Sequence, residues 1–431
     1  METYGRILLI AMPIFLVLVL FEKWYGWRRG FDTVRTMDMI SSLTSGITNV
    51  TKDVLKLSIG ILTYGFLVKH LAIFEIKATW LTYVIAFLVI DFQGYWVHRW
   101  CHKINIFWNR HIIHHSSEEF NLACALRQSI SGIFDMFAFL LIPAALVGVP
   151  KEVIAVVAPL HLFAQFWYHT RHIGKMGWLE QVIVTPSHHR VHHALNPEYL
   201  DKNLGQIFIF WDKWFGTFQA ELDHVPPVYG ITRPAATYNP VKINFQHAWL
   251  LLQDAWRTQN WWDKLRIWFM PTGWRPADVA AKYPVFKIED PYHFEKYNPK
   301  APQGLAAWSW VQLLVLLLFI SYLFGNIAAI GSPDMFIYGG FILLSVIAIT
   351  ELMDGNTHAF WWEAGKNAAG LGIILYQQDW FKLSLFWQPA FYGVAFYFIV
   401  ATLVVAWFSK QMPSTSLKRV EAVKDAATIA H

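Results

Sequence analysis

Twelve of the eighteen histidines in this 431-residue chain fall between Asp91 and His193, and their spacings repeat. His98-x3-His102, His111-x2-His114-His115 and His189-x2-His192-His193 follow the i, i+3, i+4 pattern that places side chains on one face of a helix. Each group therefore predicts a helical segment carrying two or three imidazoles side by side, as a metal ion needs. The third group has its own start signal. Thr185 suits an N-cap, and Pro186 at the first helical position has no amide to leave unpaired. Asn196-Pro197 predicts the stop, because a residue before proline disfavours the α region.

Hydrophobic runs surround these groups. The chain is 55% hydrophobic and 17% aromatic but only 15% charged, where a soluble protein carries about a quarter. Apolar runs approaching membrane-spanning length occur at Ile7–Phe21, Leu57–Phe74, Trp80–Trp96, Ile133–Val149, Val153–Tyr168, Ala306–Ile330, Met335–Ile349 and Phe381–Phe408. Several are short for a full crossing, and Val153–Tyr168 contains His161 and Gln165. Glu22-Lys23-Trp24-Tyr25 reads as an interfacial belt rather than a signal-peptide cleavage site.

The net charge of +5 is modest. Its basic residues flank the runs and form no stripe, so a nucleic-acid partner has no support. Lys23, Arg28, Arg29, Arg35, Lys52 and Lys56 lie between the first two runs, and Arg99, Lys103 and Arg110 follow the third. The positive-inside rule then puts the histidine groups on the cytoplasmic side. The two cysteines, Cys101 and Cys124, fall on that side as well, which argues against a disulfide.

The expected architecture is an all-α, multi-pass integral membrane bundle with a cytoplasmic cap carrying a histidine-rich dimetal site. Residues 1–170 form a transmembrane block with the first two groups. Residues 171–304 form the cap with the third group and end in a proline-punctuated stretch. Residues 305–410 form a second transmembrane block, and 411–431 a flexible tail.

Neutral imidazole suits zinc, copper, iron and nickel. His98, His102, His111, His114, His115, His169, His189, His192 and His193 stand out as ligands, with His188 either a ligand or a residue that orients one. That is about twice what a four-coordinate ion takes, so two ions are the economical reading. Two transmembrane histidines holding a haem would not explain adjacent pairs such as His114-His115. Interfacial histidines bonded to backbone and headgroups would not explain three matched spacings.

Asp91 lies inside an apolar run, where an ionisable group is costly; it reads as a partner for a histidine N–H or for a nearby Arg or Trp. Glu118, Glu119, Asn121, Arg127 and Asp201 follow the groups closely and can line the cavity. Asp91, Glu118 and Asn121 are the candidate catalytic residues. Glu351, Asp354, His358 and Glu363 read as a solvated loop at a membrane edge. His70, His224, His247, His293, His358 and His431 carry no assigned role.

The motif Asp91-x3-Tyr95-Trp96-x-His98-Arg99-x2-His102, followed by Trp108-x2-His111-x2-His114-His115-Ser116-Ser117-Glu118-x-Phe120-Asn121, resembles the fatty acid hydroxylase/sterol desaturase superfamily. Ala125-Leu126-Arg127-Gln128-Ser129, Gln165-Phe166-Trp167-Tyr168-His169-Thr170, Thr185–His193, Asp201-Lys202-Asn203 and Trp211–Phe218 are similar to a tetrahydrobiopterin-dependent branch of it. The resemblance implies a non-haem diiron enzyme that uses O2 to attack a C–H bond of a membrane lipid. It maps metal ligands onto His98, His102, His111, His114, His115, His189, His192 and His193. It implies two iron ions, with tetrahydrobiopterin or a protein as external electron donor, in a bacterial inner membrane or the endoplasmic reticulum. Lys103 and Arg171 stand where that branch has acidic residues, which makes the donor's docking face more basic. The competing readings are a sterol or acyl desaturase of the same superfamily and a non-catalytic metal-binding or metal-transporting membrane protein.

Overall fold

The computed structural model describes residues 2–60, 63–132, 134–135 and 137–412. The N-terminal part runs through α1 (Glu2–Arg28), α2 (Thr36–Val54), α3 (Tyr64–Leu71), α4 (Trp80–Lys103), α5 (Asn105–Trp108) and α6 (Ile112–His115). The middle holds α7 (Ile142–Val147), α8 (Lys151–Phe163), α9 (Pro186–His192), α10 (Phe210–Phe215), α11 (Pro240–Arg257), α12 (Trp261–Arg266) and α13 (Ala277–Lys282). The last four are α14 (Leu305–Ile330), α15 (Asp334–Met353), α16 (Ala359–Gln377) and α17 (Ala390–Gln411). Among the described residues the only strands are Ile59–Gly60 and Phe134–Asp135, paired in parallel. The all-α expectation holds.

Among the described residues, five helices are long and apolar enough to cross a membrane: Tyr4–Arg28 within α1, α4, α14, α15 and α17. They account for five of the eight apolar runs. The other three are broken up, and local chemistry explains why. Leu57–Phe74, whose Ile61 and Leu62 lie outside the described residues, yields only the eight-residue α3, which the Thr63 hydroxyl caps by accepting from the Phe66 amide. In Ile133–Val149, whose Ile133 and Met136 lie outside the described residues, Pro143 opens a six-residue α7 that Gly148 ends at φ 83°. Val153–Tyr168 gives the 13-residue α8, with Pro159 inside it. The last run starts late, because Pro389 precedes α17. Of the expected tail, residues from 413 onward, including His431, lie outside the described residues.

The sequence reading did not mark α2 and α16 as long helices, because both carry many polar residues. In α2 the hydroxyls of Ser42, Thr44, Thr48 and Thr51 donate to carbonyls three or four residues back at 2.7–2.9 Å. They are satisfied within the helix, so α2 can sit buried between α14 and α15. A Cβ on Gly339 of α15 would come within 2.3 Å of the Leu55 side chain, which would have to move to admit it. The acidic residues near the end of α15 are not a solvated loop. Glu351 is buried and accepts from Asn239 and Asn356 at 2.8 and 2.7 Å. Glu363 is fully buried in α16 and pairs with Lys366 at 2.6 Å.

The main apolar core joins α1, α2, α14 and α15 around Ile40, Leu43, Leu323 and Tyr338. A second core packs α4 against α8 through Ala86, Ile90, Val153 and Val157. The histidine groups lie beside these cores, on segments fixed by the C-terminal half of α4.

Candidate metal centre

The histidines converge into two groups. In the first, His98, His102, His111, His115 and His192 each bring one ring nitrogen within 4.8 Å of the others; in the second, His114, His169, His189 and His193 do the same. Ring stacking of His115 on His193, with centroids 4.3 Å apart, joins the groups. Neighbouring residues divide between them. His114 and His115, like His192 and His193, point apart because successive helical positions differ by about 100°. His169, on the loop after α8, joins the second group.

Backbone carbonyls fix the ring orientations. Leu204 O takes His98 Nδ1 at 2.7 Å, Arg127 O takes His114 Nδ1 at 3.3 Å, Gln165 O takes His169 Nδ1 at 3.0 Å and Lys202 O takes His192 Nδ1 at 3.0 Å. A carbonyl only accepts, so each of these rings carries its proton on Nδ1 and presents an Nε2 lone pair inward. The close Nε2–Nε2 contacts run from 2.8 Å (His98–His111, His169–His189) to 3.4 Å (His114–His169). Donor atoms around one ion with bonds of about 2.0–2.1 Å stand about 3.0–3.4 Å apart in octahedral or tetrahedral shells. His102 Nε2 and His192 Nε2 are buried without any protein partner. Burial, reinforced by neighbouring imidazoles, holds His111, His115, His169, His189, His192 and His193 well below their usual pKa, and His114 at about 3. The rings are therefore neutral, the form that binds metal. Converging lone pairs, orphaned nitrogens and neutral rings fit a pair of metal ions.

His188, placed in the expected ligand set, lies in neither group. Its Nδ1 accepts from the Thr185 amide at 3.4 Å and its ring packs on Phe218. It caps the start of α9, where Thr185 and Pro186 stand as the sequence predicts.

Asp91 is fully buried and accepts from His161 Nε2 (2.7 Å), the Ile207 and Phe208 amides (2.9 and 3.2 Å) and Trp211 Nε1 (2.8 Å). It ties α4 to the turn whose Leu204 carbonyl orients His98, and it touches no clustered histidine. Asn121 caps its own loop, accepting from the amides of Ala123 and Cys124 and donating to Thr33 O. Glu118 accepts from the Tyr297 amide, and burial pushes its pKa up to about 7. Asp201 accepts from His102 Nδ1 at 3.2 Å and from Lys103 at 2.6 Å. Arg171 pairs with Glu119 at 3.3 Å. The two unexpected cations therefore have carboxylate partners, and the face is less basic than the sequence alone suggests.

Two supporting residues escaped the sequence reading. Glu22, read as part of an interfacial belt, is buried and accepts from the Leu122 amide and the Thr170 hydroxyl, both at 2.6 Å. It thereby ties α1 to the loops bearing the second group. Asp212 accepts from the Leu204 and Gly205 amides at 2.7 Å and from Thr217 at 2.6 Å. Its place in the Trp211–Phe218 motif was the available signal.

A cavity of about 250 Å³ adjoins the first group, with His102, His115 and His192 in its wall. Ile112, Leu195, Leu250 and Leu251 give it an apolar side, and Thr232, Arg233 and Lys287 a polar one.

Residues 83–217 match the family model described as fatty acid hydroxylase. The chain is 35% identical over 352 residues to the human alkylglycerol monooxygenase, covering 81% of this chain and 78% of that protein. It is 33% identical over 357 residues to the alkylglycerol monooxygenase of Danio rerio, with the same coverage. A Delta(7)-sterol 5(6)-desaturase of Gibberella zeae is 27% identical over 161 residues, 35% of this chain and 45% of that one. No solved structure matches. Together with the five apolar helices, these relationships make the protein an integral membrane monooxygenase, and the chain belongs to the fatty acid hydroxylase family.

Proposed function

We propose that the protein is a non-haem diiron lipid monooxygenase that hydroxylates the alkyl carbon next to an ether oxygen. The carrying observation is the pair of histidine groups whose Nε2 lone pairs converge. The names of the relatives that align over most of the chain supply the ether-lipid substrate. In this reading His98, His102, His111, His115 and His192 hold one iron, and His114, His169, His189 and His193 the other. Bound iron supplies the O2 activation that side chains cannot perform.

The remaining work falls to the chain itself. The carbonyls of Leu204, Arg127, Gln165 and Lys202 hold the rings in the ligating tautomer. Asp91 fixes the turn that carries Leu204, while Glu118 and Asn121 hold the segment after the second motif; all three act by positioning. The cavity beside the first group receives the lipid, with Ile112, Leu195, Leu250 and Leu251 against the alkyl chain. The balance is R–CH2–O–R′ + O2 + 2e⁻ + 2H⁺ giving R–CH(OH)–O–R′ + H2O, and the hemiacetal then separates into an aldehyde and an alcohol. Tetrahydrobiopterin is the proposed source of both electrons, and the basic residues between the spans support a cytoplasmic location for the histidines.

The test is full-length protein in nanodiscs, loaded with ferrous iron and given an alkylglycerol, O2 and tetrahydrobiopterin. Aldehyde formation without any added protein is expected. Turnover only with ferredoxin and its reductase would overturn the pterin assignment. An alkene product would favour the desaturase reading, which the Gibberella zeae relative keeps open.

A further inference from the structure

The helix α11 is two-faced. Ile243, His247, Leu250, Leu251 and Asp254 are buried. Phe245, Trp249, Leu252 and Trp256 are exposed, Trp256 by 86%. These four stand at i, i+4, i+7 and i+11, a single stripe along the helix. The apolar surface continues through Trp261, Trp262, Leu265 and Phe269, all more than 60% exposed. Eight large apolar side chains open to the surroundings on one short hairpin exceed the scattered exposure normal for a water-facing surface. Neither α11 nor α12 is among the helices long and apolar enough to span.

The ends of the hairpin fix its level. At its start the Tyr238 amide donates to Asp354 at 2.7 Å and Asn239 donates to Glu351 at 2.8 Å, at the C-terminal end of the span α15. At its finish the amides of Asn105 and Ile106 donate to the carbonyls of Met270 and Trp268 at 3.0 and 2.9 Å, and the Thr272 amide donates to Lys103 O. Those residues close the C-terminal end of the span α4. Midway along α11, His247 Nε2 donates to Asn105 O at 2.9 Å and the Ala248 amide donates to Asn109 at 3.1 Å, so this helix, about 27 Å long, is held at its start and its middle against the C-terminal ends of two spans.

The charge pattern agrees. Between Pro240 and Met270 the basic residues are Lys242, Arg257, Lys264 and Arg266. The acidic ones are only Asp254 and Asp263, both buried and paired with Arg275 and Arg266 at 2.5 and 2.8 Å. An apolar stripe rich in tryptophan, with no exposed carboxylate and with basic residues beside it, is the composition of an interfacial helix.

We infer that α11 and α12 form a membrane-surface element whose Trp249–Trp256–Leu265 face lies in the headgroup layer of the bilayer. The partner is the lipid surface. Because the opposite face of α11 supplies Leu250 and Leu251 to the cavity beside the first histidine group, this element is also the partition between lipid and cavity.

The test uses the full chain in phosphatidylcholine nanodiscs with an environment-sensitive fluorophore on a cysteine at Trp256→Cys or Leu265→Cys. Cys101 and Cys124 are buried and stay unlabelled. Leu403→Cys, on the exposed side of α17, serves as the lipid reference, and Asp223→Cys, whose side chain is 91% exposed, as the aqueous one. Expected is a blue-shifted emission at both hairpin positions. Lipid brominated near the top of the acyl chain should quench it at least threefold more than aqueous iodide does. Iodide quenching equal to that at Asp223→Cys would overturn the inference. So would shielding from both quenchers with cross-linking between copies, which would make the face a self-association surface.

Discussion

The Nε2 atoms of His114 and His169 lie 3.4 Å apart, although each ring donates its Nδ1 proton to a backbone carbonyl, Arg127 O and Gln165 O. Two lone pairs thus face each other in a buried space, which is unfavourable unless a cation sits between them. The Arg127 carbonyl is itself held in place, because the Arg127 guanidinium pairs with Asp38 at 2.6 Å and bonds Ser42 and Ser116. The second group is therefore built by three stretches distant in sequence, around residues 114, 169 and 189–193.

Removing one member of that group should release one ion. His169→Ala leaves three nitrogens where there were four, and metal content should fall from about two per chain towards one, with at least a 100-fold loss of turnover. Elemental analysis of anaerobically purified protein reads the first effect directly. Two retained ions would remove His169 from the ligand set.

His188→Ala should behave differently. His188 caps α9 and lies outside both groups, so metal content should stay near two while the protein melts earlier. Losing a helix cap costs about 0.5–2 kcal/mol, which a thermal melt beside His189→Ala will resolve. Loss of an ion from His188→Ala would reinstate it as a ligand.

The helical spacings made the α4 and α9 clusters legible, because i, i+3 and i+4 geometry is local. The division of the ligands was not legible. It depends on where α9 lies against α4 and on the loop carrying His169, both set by long-range packing. Asp91 was conspicuous as a carboxylate in an apolar run, but its partners Ile207, Phe208 and Trp211 come from 116 to 120 residues away. Glu22 was misread because a glutamate beside lysine and tryptophan at a helix end has the composition of a membrane interface whichever way it points.

Asp91→Asn should act through position. One carboxylate oxygen accepts from His161 and Ile207, the other from Phe208 and Trp211, and an amide can replace only one of them. The loss of charge-assisted hydrogen bonds, about 1.5–3 kcal/mol each, should lower stability and loosen the turn that holds His98. Expected is a lower affinity for metal, with turnover per bound ion largely kept once excess ferrous iron restores occupancy. Full occupancy with turnover still abolished would make Asp91 a catalytic residue in the strict sense.

Asp354 should give the protein a pH-dependent stability. Its carboxylate accepts from the Tyr238 amide and the Tyr297 hydroxyl at 2.7 and 3.0 Å, joining the end of α15 to the segments on either side of α11–α13. Burial nevertheless pushes its pKa up to about 7 from 3.8. Between these values the folded chain holds a proton that the unfolded chain has released, so this residue's contribution makes stability fall as pH rises from about 4 to 7 and level off above. Asp354→Asn cannot ionise, and its melting temperature should change less across that window than that of the parent. Thermal melts of both proteins in one detergent, every half unit from pH 4.5 to 8, give the comparison. Parallel curves would mean that Asp354 is ionised throughout, with its donors Tyr238, Tyr297 and the Thr237 hydroxyl outweighing its burial.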